Sequence, residues 1–157
     1  MPVEHAAIVG AGIAGLTAAL ALARRGISSD IFEQAPELAE VGAGLQISPN
    51  ASRVLAELGV LDGLISLWLE PQSIRLISGS SLRELAAVPA GSFARNRWGA
   101  PYGVLHRKTL QKALLDAVSA NPLCQLHLGI RFESDLPRGQ RSTDVIIGAD
   151  GVWSRLR

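Results

Sequence analysis

The stretch that decides the fold is residues 6–15, AAIVGAGIAG, where four apolar residues run directly into three glycines spaced as GxGxxG. A short apolar run that ends in glycine predicts a strand, and the helix formers of residues 13–25, closed by Gly26, predict a helix immediately after it. A second short run, Ser29 to Glu33, follows that helix. Together these segments predict a β-α-β unit with a tight first turn and parallel strands.

Each glycine of the turn has its own physical reason. Gly10 permits the tight turn, Gly12 leaves room for a pyrophosphate, and Gly15 lets helix and strand pack closely. The N–H groups and the dipole at the helix N-terminus both favour a phosphate. Glu33 ends the next strand, where its carboxylate can accept hydrogen bonds from both ribose hydroxyls. A GxGxxG alone is equally a plain glycine-rich turn, but this combination of strand, helix and acid predicts nucleotide binding.

The acid at position 33 also discriminates among nucleotides. A carboxylate there repels a 2′-phosphate. We therefore expect the ADP half of FAD or NAD at this turn, and not NADP.

Composition limits the classes of partner. The chain has 157 residues, 48% of them apolar, and a formal net charge of +1, so it can build a core but offers no bulk field for nucleic acid or an anionic membrane. A small, roughly neutral partner is expected.

The single cysteine, Cys124, excludes an internal disulfide framework and a cysteine-built metal site. No apolar run approaches the ~20 residues of a membrane span, and the N-terminus reads as a strand rather than a signal peptide, so we expect a soluble, cytoplasmic protein.

The rest of the chain predicts further elements. Residues 41–45 are glycine-rich and predict a loop of unusual shape, and two runs around Gly79-Ser80 predict an antiparallel hairpin. The apolar run before Gly148 is typical of a strand buried in a parallel sheet. After Glu33 the sequence predicts a helix at 50–58, strands at 73–78 and 82–88 with a third strand of that sheet at 102–105, a helix at 108–119, strands at 123–128 and 144–147, and a polar turn at 137–141.

Motifs at four separated places resemble a known family. Besides the glycine turn with Glu33, these are residues 41–50, VGAGLQISPN, the His106-Arg107 pair before the long helix, and Asp150-Gly151 after the last strand. With them the chain resembles, along essentially its whole length, the N-terminal part of class A FAD-dependent aromatic-ring monooxygenases of the salicylate hydroxylase and kynurenine monooxygenase kind. The resemblance implies an α/β fold with a Rossmann-like FAD-binding domain and its parallel sheet, residues 1–72 and 105–157, and part of an antiparallel substrate-domain sheet, residues 73–104.

The resemblance also implies which residues contact the cofactor. The glycine turn and Glu33 would hold the ADP moiety, the 42–45 loop would approach the flavin, and Arg107 would contact the FAD phosphates or ribityl chain. The strand exit near Phe132 would touch the adenine through its backbone, and Asp150-Gly151 would serve both FAD and the nicotinamide cofactor. The implied cofactor-binding residues are Gly10, Ala11, Gly12, Ile13, Ala14, Gly15, Glu33, Gly44, Leu45, Arg107, Phe132, Asp150 and Gly151.

Two of these positions have an ordinary alternative. Arg107 could be a solvated arginine at a helix start, although a cation in the first turn opposes the dipole and so favours a nearby anion. Asp150-Gly151 alone is more often a turn, although its place after a parallel strand favours a ligand.

Other polar and aromatic residues are interpreted as structural. His106 and His127 lack a partnering constellation of Cys, Asp or Ser, so we predict no chemical role for them. The tryptophans are interpreted as core or hairpin anchors, with a stacking platform as the alternative; they are Trp68, Trp98 and Trp153. No catalytic side chain and no metal site is predicted.

The chain departs from the family in two places. Family members run to roughly twice this length or more and carry a downstream GD motif that this sequence lacks. The segment between Leu128 and Asp144 is also shorter than the hairpin or meander that the family places there. Missing strands leave unpaired edges and apolar faces, so we expect a homodimer or a complementary chain to cover them.

The resemblance implies a FAD-dependent monooxygenase that uses NADH or NADPH to hydroxylate a small aromatic substrate, present here as its FAD-binding part. One alternative is a non-catalytic fragment that binds FAD, NAD or ADP. Another is a subunit that becomes competent only with a partner chain.

Overall fold

The computed structural model describes residues 2–38, 43–132, 143–152, 154 and 156. The chain divides into two compact units, one made of Met1–Val41 and Leu110–Arg157 and the other of Gly42–Thr109. The polar turn predicted at 137–141 and Trp153 lie outside the described residues. The predicted domain division, with 73–104 as an insert, stays a prediction.

The described residues form both strands and helices. In chain order they are β1 His5–Val9, α1 Ile13–Ala23, β2 Ser28–Glu33, β3 Gly44–Ile47, α2 Pro49–Glu57, α3 Leu61–Ile65, β4 Ser73–Ile77, β5 Glu84–Pro89, α4 Gly91–Trp98, β6 Gly103–His106, α5 Arg107–Ser119, β7 Cys124–Leu128 and β8 Val145–Gly148.

In the described residues, the first unit is built on a four-stranded parallel sheet in the order β7-β2-β1-β8. In the register of this sheet Ile8 lies between Ile31 of β2 and Ile147 of β8. Residues 6–8 and Ile31 are fully buried, as a central strand with both faces covered requires. The predicted β-α-β unit and its parallel pairing are confirmed.

Helix α1 packs against β1, β2 and β7. Its buried side, which includes Leu16, Ala19 and Leu20, is formed by small and straight-chain residues that favour helix. The sulfur of Cys124 on β7 lies 3.7 Å from the Ala19 carbonyl oxygen. Burial raises the pKa of the Cys124 thiol, so the thiol stays protonated at neutral pH.

The last strand corrects a prediction. β8 was expected to be buried, but Val145 is 36% exposed and Ile146 is 45% exposed. The physical reason is position, because β8 is the edge strand of the described sheet and pairs there only with β1. An apolar run indicates a strand but does not say whether a neighbour covers it.

The second unit holds two antiparallel pairs, and one of them corrects another prediction. The β4–β5 hairpin forms as predicted, with Ile74 opposite Val88. The strand predicted at 102–105 does not join that hairpin: β6 pairs with β3, placing Leu105 opposite Leu45. β3 lies in the glycine-rich stretch interpreted as a loop, where Leu45 and Ile47 alternate inward with period two.

Helices α3 and α4 were not predicted either. Gly91–Trp98 contains Gly, Ser, Asn and aromatic residues of low helix propensity, so local sequence gives little signal for α4. Tertiary packing stabilises it, since Ala94 is buried in a cluster with Ala90 and Tyr102.

The two described tryptophans each contact a neighbouring residue, but Trp98 is 42% exposed on α4 and so is neither a core nor a hairpin anchor. The Trp68 ring lies so close to Gly103 that a Cβ there would overlap it. Trp98 packs edge-on against Phe93, with ring centroids 5.6 Å apart. Across the described residues, no helix is both long and apolar enough to cross a membrane.

A carboxylate ties the start of β1 to the start of β8. Asp144 Oδ2 accepts the backbone N–H of Glu4 at 2.9 Å and that of His5 at 3.0 Å. These two hydrogen bonds lower the pKa of Asp144, because they favour its charged form.

The lowered pKa predicts a pH dependence of stability. A depressed carboxyl pKa contributes stability above the unfolded value of about 4 and loses it as pH falls through the folded value. We expect Asp144→Asn to melt at a lower temperature than the wild type near neutral pH, and the gap to close below about pH 4. Thermal melts against pH measure this, with Asp116→Asn, in an exposed pair with Lys112, as the control. A gap that is constant with pH would contradict the role of the Asp144 charge.

Candidate cofactor-binding site

The turn between β1 and α1 excludes side chains at two of its glycines. Gly10 has φ +106°, and a Cβ there would overlap the Ala149 carbonyl. A Cβ at Gly15 would overlap the Gly10 carbonyl oxygen. The turn is held further by the Gly10 N–H, which donates to the Phe32 carbonyl at 2.8 Å. These contacts explain why glycine occupies both positions.

Gly12 is different, because space is open around it. A Cβ at Gly12 would have no neighbouring atom within 4 Å, and its backbone is extended. Gly12 is the residue before α1, whose first N–H groups have no partner inside the helix. Among the described residues, no protein acceptor contacts the N–H groups of Gly12, Ile13 and Ala14. Open space bordered by unpaired donors at a helix N-terminus fits an anionic group such as a pyrophosphate.

Glu33 contacts the same turn from the end of β2. Its Oε2 accepts the N–H of Ala11 at 2.9 Å, and its Oε1 accepts the N–H of Ala35 at 3.0 Å. The sequence predicted that Glu33 binds a ribose. It did not predict that the Glu33 carboxylate also anchors the glycine turn through the Ala11 N–H. A carboxylate has about four lone-pair sites, so both oxygens can still accept hydroxyl donors.

Asp150 and Gly151 lie beside the glycine turn, at the carboxyl end of β8. The Ala149 N–H donates to the Val9 carbonyl at 2.7 Å, which joins this segment to β1. Gly151 has φ +84°, a conformation that favours glycine. The two residues border a cavity of about 540 Å³, together with Ile146, Gly148, Ser154 and Leu156. The structure therefore brings Asp150-Gly151 to the same end of the sheet as the turn and Glu33.

Phe132 and His127 both pack against Phe32, which lies on β2. The Phe32 ring stacks on His127 with centroids 5.1 Å apart, and Phe132 packs on Phe32 at 5.8 Å. Phe132 thus lies just after the strand that neighbours Glu33.

The same region corrects the statement that His127 lacks a partner. His127 Nε2 lies 2.7 Å from one oxygen of the buried Asp30, and His5 Nε2 lies 3.0 Å from the other. His5 Nδ1 also lies 2.8 Å from the Ser28 hydroxyl oxygen. A buried carboxylate requires such partners, so the structural interpretation of His127 holds but the absence of a constellation was wrong. Ser28 and Asp30 lie two positions apart on β2 and therefore on one face of the strand, and these two polar residues are the sequence signal that could have found it.

Gly44, Leu45 and Arg107 lie at the β3–β6 ladder of the second unit. Gly44 pairs with His106, and the Arg107 N–H donates to the Ala43 carbonyl at 2.9 Å. Gly44 and Arg107 are exposed. In the described part of the chain no carboxylate forms an ion pair with Arg107, which leaves its guanidinium open to an anion.

Comparisons with known proteins show the family of the chain. Residues 4–157 match the family model described as FAD binding domain. The chain is 36% identical to 3-hydroxybenzoate 6-hydroxylase 1 of Aquipseudomonas alcaligenes, over 96% of this chain and 41% of that protein. It is 37% identical to 3-amino-4-hydroxybenzoate 2-monooxygenase of Streptomyces cremeus, over 96% of this chain and 40% of that protein.

A solved structure shares the fold. The tetrameric form of 2-methyl-3-hydroxypyridine-5-carboxylic acid oxygenase superposes with a TM-score of 0.69 and 26% identity, covering 82% of this chain and 32% of that one. The chain spans about two fifths of the length of the curated relatives it matches.

Substitution by alanine is expected to affect stability differently at Gly15 and at Gly12. Gly15→Ala is expected to destabilise the protein by on the order of 3 kcal/mol, because its Cβ overlaps a backbone carbonyl that cannot move aside. Gly12→Ala is expected to change the free energy of unfolding by less than about 1 kcal/mol, since its Cβ enters open space. Denaturant unfolding of the two variants measures the contrast. Equal stability of the two variants would refute the packing role of Gly15.

Proposed function

Because the chain belongs to the FAD binding domain family of FAD-dependent aromatic hydroxylases, we propose that it is the FAD-binding part of a monooxygenase that hydroxylates an aromatic ring. The observation that carries the proposal is the open space at Gly12, bordered by unpaired α1 N–H groups with Glu33 beside it. NADH or NADPH would serve as the reductant.

The pyrophosphate of FAD would lie at the glycine turn. The N–H groups of residues 12–14 supply donors, and the α1 dipole adds a favourable partial charge. A pyrophosphate needs close approach of the backbone, which the missing Cβ at Gly12 allows. Gly10, Ala11 and Gly15 shape the turn.

The ribose of the ADP half would lie at Glu33. The two carboxylate oxygens already accept the backbone N–H groups of Ala11 and Ala35, so their positions are set before a ligand binds. Their remaining lone pairs suit two hydroxyl donors, and the negative charge disfavours a 2′-phosphate. The adenine would contact the backbone near Phe132.

The resemblance to the family implies the remaining cofactor contacts. Arg107 would bind a FAD phosphate or the ribityl chain, because its exposed guanidinium has no ion-pair partner among the described residues. Gly44 and Leu45 would approach the flavin ring, and Asp150-Gly151 would contact FAD and the nicotinamide cofactor. Residues 73–104 would belong to a substrate domain, inserted between FAD-binding segments 1–72 and 105–157.

FAD supplies the electron transfer and the activation of O₂ when it is bound. The residues of this chain bind and orient the cofactor, and we assign no acid, base or nucleophile among them. The single cysteine of the chain, Cys124, suits a reducing compartment such as the cytoplasm.

The names of the relatives support a proposal for the substrate class. The two enzymes named above act on hydroxybenzoates, and the structural neighbour acts on a hydroxypyridine carboxylic acid. We infer a small aromatic acid that carries a ring hydroxyl.

A second candidate is a nucleotide-binding subunit that needs a partner chain for catalysis. It is favoured by the β4–β5 hairpin, where every residue of β5 is exposed and Leu85 is 59% exposed. Exposed apolar strands favour association with another surface, either a second copy or a complementary chain.

Titration with FAD tests the cofactor site. We expect the wild type to bind FAD, and Glu33→Ala to raise the dissociation constant about 10- to 100-fold, because hydrogen bonds to a charged group are lost. Flavin fluorescence measures binding, and Glu37→Ala, an exposed acid four positions along, is the matched control. Unchanged affinity in Glu33→Ala would contradict the site.

Reduction of the bound flavin separates the two candidates. If this chain carries out the reductive half-reaction of a monooxygenase, we expect anaerobic NADH or NADPH to bleach the flavin absorbance of the FAD-loaded protein. FAD binding without bleaching, restored by a second chain, would favour the subunit instead.

A further inference from the structure

Ala11 is held by a side chain at each of its backbone polar groups. Its N–H donates to Glu33 Oε2 at 2.9 Å, and its carbonyl oxygen accepts the side-chain Nε2 of Gln111 at 3.3 Å. Ala11 is fully buried, and Gln111 is half-buried on α5. Gln111 sits next to Leu110 and one turn before Leu114, both of which anchor this face of the helix.

The two hydrogen bonds fix the orientation of two successive peptide groups. In a trans peptide the C=O and N–H point in opposite directions. The Gly10–Ala11 peptide directs its N–H at Glu33 and its carbonyl toward Gly15, consistent with the overlap that a Gly15 Cβ would produce. The Ala11–Gly12 peptide directs its carbonyl at Gln111. The N–H of Gly12 therefore points away from Gln111.

Glu33 alone does not determine the second peptide. The Ala11–Gly12 peptide can rotate about the bonds that flank it, and the glycine on one side makes such a rotation easy. A flipped peptide would present a carbonyl oxygen to the ligand in place of an N–H. A phosphate would be repelled by that oxygen. Phosphate binding therefore requires a contact that holds the peptide with its N–H toward the ligand.

We propose that Gln111 is a positioning residue for the pyrophosphate: by holding the Ala11 carbonyl, it presents the Gly12 N–H as a phosphate donor. The inference rests on the proposed FAD site. Gln111 need not touch the cofactor for this role, because it acts through the peptide that it holds.

The test compares ligands with and without the pyrophosphate. Gln111→Leu removes the donor while keeping a similar size, and Gln125→Leu, at an exposed glutamine on β7, is the matched control. We expect Gln111→Leu to raise the dissociation constants of FAD and ADP about three- to tenfold, the value of one neutral hydrogen bond. Adenosine, which has no phosphate, should bind the wild type and Gln111→Leu equally, and ligand-observed NMR measures its affinity.

Three other outcomes would overturn the inference, and each has a different cause. Equal ADP affinity in wild type and Gln111→Leu removes the role of Gln111 and leaves the FAD site standing. A proportional loss of adenosine binding shows a general structural effect instead. A wild type that binds neither FAD nor ADP overturns the proposed function, and this inference with it. Gln111→Met, with an unbranched side chain, repeats the test if Gln111→Leu melts early.

Discussion

The hydrogen bond between the Glu33 carboxylate and the Ala11 N–H is the interaction on which the candidate site depends. It joins the end of β2 to the turn between β1 and α1, and it leaves lone pairs for a ligand. A buried backbone N–H requires an acceptor. The Glu33 carboxylate therefore accepts the buried N–H of the turn and also presents a polar group at the same edge of the sheet.

The rest of the first unit supports that edge. Gly10 and Gly15 let β1, α1 and the Asp150 segment approach each other, because either Cβ would overlap a carbonyl. Parallel pairing then brings the carboxyl ends of the strands together, which is where open α/β sheets bind ligands. The buried Asp30 has a structural role in the same sheet. Its two carboxylate oxygens lie against His5 and His127 rather than against the turn.

The parts of this architecture that sequence reasoning predicts are those governed by short-range physics. The glycine spacing and the apolar run of β1 are local patterns, and the β-α-β unit follows from them together with the short second strand that ends at Glu33. The pairing of β6 with β3 depends on contacts about sixty residues apart in sequence, which no local pattern encodes. The burial of β8 depends on its neighbours in the sheet rather than on its composition. The double contact of Glu33 required geometry, since the residue type alone predicts only an acceptor.

The central claim is that the backbone N–H groups at the start of α1 receive the cofactor pyrophosphate. An amide-resolved NMR titration of the labelled protein with FAD tests it most directly. The account predicts that the amide signals of Gly12, Ile13 and Ala14 shift most, while those of the β4–β5 hairpin stay in place. Binding of FAD that leaves the signals of residues 12–14 unchanged would contradict it.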